Sequence, residues 1–145
     1  MADPVIAFST PKEHYMADAC VVWCFDDRFY KLLKAFGKQV GFKNIDLVKI
    51  AGGAKALAAG PSPERDFVAG QIAASLKLHG TKAIILMTHR DCGAYGGSKN
   101  FTDAAAERVF QDEQLLAAKA FVASEAPGIP VKAYFADFDG LYEVF

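Results

Sequence analysis

The chain has 145 residues, 52% hydrophobic and 23% charged, the balance of an ordinary globular protein and not of a disordered or fibrous one. A formal charge of -1 argues against nucleic acid or an anionic membrane as the main partner. No stretch approaches the roughly 18 apolar residues of a spanning helix. The opening "MADPVIAFST" has neither a basic leader nor a signal-type apolar core, so a cytoplasmic location is expected.

The length suits one domain, 1–145, in which apolar runs alternate with helical patterns. "ACVVWCF" reads as a buried strand that breaks off into the charged cluster Asp26, Asp27 and Arg28. Phe29, Leu32, Leu33 and Phe36 then recur at helical spacing. "IDLVKIAGG" is a second strand ending in a glycine pair. Ser62 before Pro63 makes an N-cap with proline at the first helical position, and that helix runs to His79, where Gly80 stops it. "KAIILMTH" is a nearly continuous apolar run, as expected of a strand covered on both faces. A long helix starts at Thr102 or Asp103 and ends at Pro127 and Gly128, with Phe110, Leu115 and Phe121 as core or subunit contacts. "VKAYFADF", the Asp139-Gly140 turn and "LYEVF" close the chain as a hairpin.

This order predicts an α/β fold: a mostly parallel sheet, strands 2-1-3-4 with an antiparallel edge strand 5, flanked by helices on both faces. Ligands bind such sheets where the strand order reverses, between strands 1 and 3. The ends of "ACVVWCF" and "KAIILMTH" then sit side by side, bringing Cys24 to His89 and Cys92.

Three cysteines in a chain that is neither small nor secreted suggest metal binding or catalysis before a disulfide framework. Cys24 with His89 and Cys92 makes a soft nitrogen-and-sulfur set suited to tetrahedral Zn2+, and three protein ligands leave a fourth position open. Cys20, inside the apolar run, reads as core. If strand geometry persists past Phe25, Cys24, Asp26 and Arg28 share a face. Asp26 is near enough to be a fourth metal ligand, whereas Arg28 can pair with it and hold it away, which makes the two a gate. Asp91, between His89 and Cys92, is a candidate anchor of the turn, and Tyr95 a candidate pocket residue.

"CFDDR", a glycine pair after the second strand, and "HRDCG" together resemble the β-class carbonic anhydrases over about Ala19 to Phe145. The resemblance implies Cys24, His89 and Cys92 as zinc ligands and Asp26 with Arg28 as a catalytic dyad. Gly52 and Gly53 in "AGG" match the family's turn beside the substrate pocket. It further implies zinc-dependent hydration of carbon dioxide to bicarbonate by zinc-bound hydroxide, and a homodimer or higher homo-oligomer. The 12 phenylalanines also point to an oligomer. Hydrolysis of carbonyl sulfide or carbon disulfide on the same site is the alternative chemistry. A non-catalytic zinc module with Asp26 closing the metal is the alternative without chemistry. A Cys92 nucleophile above "CGAYGGSK" lacks the arginine such a loop needs.

Overall fold

In the computed structural model, which describes residues 2–145, every residue of β1 (Ala19–Cys24) is buried, as is every residue of β3 (Ile84–His89). Strands so apolar need cover on both faces. β2 (Ile45–Ile50), β4 (Val131–Asp137) and β5 (Gly140–Val144) complete a five-stranded sheet of order β2-β1-β3-β4-β5. All neighbours run parallel except the hairpin β4–β5, as the strand pattern predicts.

Alternation along the strands sorts side chains between two layers. Cys20 and Val22 of β1, Ile84 and Leu86 of β3, and Phe135 of β4 face α2 (Lys55–Ala58), α3 (Pro63–His79) and α4 (Ala104–Glu125). Val21 and Trp23, Ile85 and Met87, and Tyr134 face Phe36 and its neighbours on α1 (Tyr30–Val40). Trp23 and Phe135 are at most 1% exposed. Each such side chain contributes about 1.5–3 kcal/mol through burial.

The helix limits follow local chemistry. Ser62 accepts from the Arg65 N–H at 3.1 Å, Pro63 occupies the first turn, and Gly80 ends α3 in the left-handed region at φ 54°. Asp103 caps α4 by accepting from the Ala106 N–H at 2.8 Å.

One expectation is corrected. β1 stops at Cys24, and extended geometry does not carry on to Arg28. Asp26 instead caps a 3₁₀ turn over Asp27–Phe29, its carboxylate accepting from the Arg28 backbone N–H at 3.0 Å. A short carboxylate that can bond its own backbone two residues on favours a turn over a ladder. Further short elements lie outside the sequence reading: α2, and 3₁₀ turns over Gly93–Tyr95 and Ser98–Asn100. Among the described residues no helix is long and apolar enough to cross a membrane.

Candidate metal centre

β1 and β3 lie side by side with Val22 opposite Leu86, so their carboxyl ends emerge together. Cys24 is the last residue of β1 and His89 the last of β3, and Cys92 follows on a tight turn. A sulfur from each cysteine and an imidazole nitrogen all lie within 4.8 Å of one another, and all three residues are buried. Cys20 stays in the core, and His79 pairs with Asp46 at 2.7 Å; neither joins the cluster.

The imidazole is fully enclosed, with Trp23 and Phe29 rings at 5.8 and 4.7 Å. Its Nδ1 bonds the Arg90 carbonyl oxygen at 2.7 Å. A carbonyl can only accept, so Nδ1 carries the proton and Nε2 presents a lone pair. Nε2 is buried without a hydrogen-bond partner. A buried nitrogen left bare beside two sulfurs fits a metal ion, and the donor set suits Zn2+.

The thiols divide their acidity. Cys24 is held far below the usual thiol range, first by the Cys92 thiol donating to it and then by His89, against the cost of burial. Cys92 is pushed up by the same interaction and by burial. Burial pulls the His89 ring down, yet the Cys24 sulfur and the Arg90 carbonyl outweigh it and the net direction is up.

Asp26 stands at the edge of this cluster, with its carboxylate engaged by Arg28. Its Oδ2 is 3.9 Å from His89 Nε2. The same carboxylate accepts Arg28 Nε–H at 3.0 and 3.2 Å and Nη2–H at 2.7 Å. Arg28, the largest influence, holds the Asp26 carboxyl down to about 2.

Gly53 explains the glycine pair. At φ 56° it occupies a conformation side chains resist, and a Cβ there would collide with the Met87 carbonyl oxygen and press on the Cys24 nitrogen. Beside it, a groove of about 820 Å3 runs from Ala51 and Ala94, the neighbours of Gly52 and Gly93, past Lys55 to Phe67 and Val68. Tyr95 packs in one cluster with Cys24 and Cys92, its hydroxyl buried and unpartnered.

Sequence reasoning missed Glu107. This glutamate is 1% exposed and gathers the turn after β3: it accepts from the Asp91 N–H at 2.7 Å, from Ser98 Oγ at 2.6 Å and from Arg90 at 3.2 Å. The only signal was its place on the stripe Glu107, Gln111, Leu115, Ala118 and Val122, which α4 buries. Asp91 does anchor the turn, accepting from the Ser98 N–H at 2.8 Å.

Solved structures share this fold. The carbonic anhydrase of Streptococcus mutans superposes with a TM-score of 0.65 at 17% identity, covering 96% of this chain and 88% of that one. β-Carbonic anhydrase isoform I of Trichomonas vaginalis gives 0.63 at 15% identity, with coverage of 96% and 88%. For the tetrameric β-carbonic anhydrases of Sordaria macrospora the values are 0.58 and 17%, with coverage of 90% and 81%. None of the curated proteins compared with the chain matches it. Residues 15–144 match the sequence profile of the family described as "Putative carbonic anhydrase", and the chain belongs to that family.

Proposed function

We propose that residues 1–145 form one zinc domain that hydrates carbon dioxide to bicarbonate. The observation that carries this reading is the buried cluster of Cys24, His89 and Cys92, with the Asp26 carboxylate beside it paired to Arg28. The zinc it would hold supplies a Lewis acid and a water acidified toward a pKa of about 7.

The chain's own residues do the rest. Cys24, His89 and Cys92 bind the ion, and the Arg90 carbonyl keeps the imidazole in the tautomer that can ligate. Two thiolates with a neutral imidazole cancel the ion's double charge. Such a site acidifies water less than three neutral histidines would, which places the working range toward neutral or alkaline pH. Arg28 keeps the Asp26 carboxylate from closing the fourth position. Gly52 and Gly53 form the turn beside the pocket, next to the mostly apolar groove that Ala51 and Ala94 line.

The protein is further read as a homo-oligomer. Phe67 is 62% exposed in the open apolar groove, and the Sordaria macrospora enzymes are described as tetrameric. Stopped-flow carbon dioxide hydration by zinc-loaded protein tests the main reading, with Cys92→Ser as the comparison. Catalysis by the native protein and its loss with the metal in the variant are expected. A fully zinc-loaded native protein no faster than the uncatalysed reaction contradicts it.

A further inference from the structure

Asp26 lies near enough to the cluster for a side-chain rotation to bring it onto a bound ion, and a carboxylate is a competent zinc ligand. The Arg28 backbone N–H, at 3.0 Å from Asp26 Oδ1, and the guanidinium both oppose that rotation, but the guanidinium is 46% exposed and restrains Asp26 only as far as its own position is fixed. Something else must hold the guanidinium. The Phe29 and Phe138 rings lie 5.9 and 5.6 Å from its centre, but a ring face does not fix its edge.

Asp91 does. Arg28 Nη1–H donates to Asp91 Oδ2 at 3.0 Å, and Nη2–H donates to the Asp91 carbonyl oxygen at 3.0 Å. Asp26 takes Nε–H and one hydrogen of Nη2, while Asp91 takes Nη1–H and the other. The two carboxylates use different donors of one planar fork, so they complement and do not compete. Asp91 is itself stiff. It is the one non-glycine residue of positive φ, at 56°, among the described residues. Its N–H is held by buried Glu107 at 2.7 Å, and its Oδ1 by the Ser98 N–H at 2.8 Å. Two carboxylates thus share the cation: Asp91, held by Glu107 and Ser98, and Asp26, held by the side chain and the backbone N–H of Arg28.

We infer that Asp91 is a positioning residue: by fixing the far edge of Arg28 it keeps Asp26 on the arginine and off the fourth metal position. This rests on the reading of Cys24, His89 and Cys92 as metal ligands. Without Asp91 the guanidinium swings outward with solvent, and Asp26 closes the site.

The test uses cobalt-loaded protein, with azide as the probe of the open position, followed by visible absorption. Asp91→Asn is the first variant, because asparagine tolerates positive φ and its Oδ1 can still accept from Ser98. Asp91→Gly, which fits the same backbone without strain, is the second. Each is expected to bind one cobalt per chain and to bind azide at least about tenfold more weakly than the native protein. Adding Asp26→Asn to either variant is expected to bring azide affinity back to within about threefold of native. A purely structural role for Asp91 predicts no such rescue. Native azide affinity in both single variants, or a loss that Asp26→Asn fails to restore, overturns the inference and leaves the metal reading standing. Native protein without a thiolate-to-cobalt charge-transfer band overturns the metal reading itself.

Discussion

The Nδ1–H of His89 is spent on the carbonyl of the very next residue, Arg90, at 2.7 Å. The backbone itself therefore sets the tautomer, while Trp23 and Phe29 fix the ring plane and Nε2 is left bare toward Cys24 and Cys92.

The pH dependence of metal uptake follows. In the metal-free site Cys92 is raised and stays protonated through neutral pH, while Cys24 is lowered. Zinc must expel the Cys92 proton and any proton on His89, whose own value is raised. One proton released makes affinity rise tenfold per pH unit, so zinc should bind at least about 100-fold more tightly at pH 8 than at pH 6. Competition titrations against a chelator, corrected for its own protonation, measure this. A flat profile contradicts the assignment.

Arg28→Ala should lower carbon dioxide hydration by about 100-fold or more, the scale expected when a group beside the reacting centre moves by about 1 Å. The Asp26 pKa is depressed, to about 2 by Arg28, so the pair stabilises the fold fully above the unfolded value near about 3.9. That contribution fades as pH falls through about 2. Loss of activity in the native protein between pH 6 and pH 5 would therefore report the proposed metal site and not Asp26. Carboxyl resonances of Asp26 followed by NMR across that range should not titrate.

Gly53→Ala should destabilise the protein by about 3 kcal/mol or more. Strained backbone accounts for about 1–2 kcal/mol, and the collision with the Met87 carbonyl for the remainder. A denaturant midpoint unchanged from native contradicts this reading of the turn.

Glu107→Ala leaves Arg90, Ser98 and the Asp91 N–H without their shared acceptor. Breaking a buried pair costs about 3–5 kcal/mol. Because Glu107 supports the turn between two proposed ligands, zinc affinity should also fall about 10–100-fold. Paired denaturation and zinc-competition measurements check both effects.

Local chemistry explains why some of this was legible beforehand. Ser62, Pro63 and Gly80 bracket α3 because each acts on its own backbone, within three or four residues. The apolar runs of β1 and β3 required cover on both faces, and the strand-order rule then brought Cys24 to His89. Lys55 to Ala58 in α2 form a helix of 4 residues, too short for any period to show. Glu107 was hidden for another reason: a glutamate in a first helical turn ordinarily faces solvent beside the helix dipole. Only the folded turn from Arg90 to Ser98 lays donors over it. The departure after Phe25 likewise depends on Asp26 bonding Arg28, a contact in which side chain and turn form together.

X-ray absorption at the zinc edge of the metal-loaded protein tests the central assignment most directly. Two sulfurs at about 2.3 Å with two lighter atoms at about 2.0–2.1 Å are predicted. A shell with no sulfur, or with only one, contradicts it.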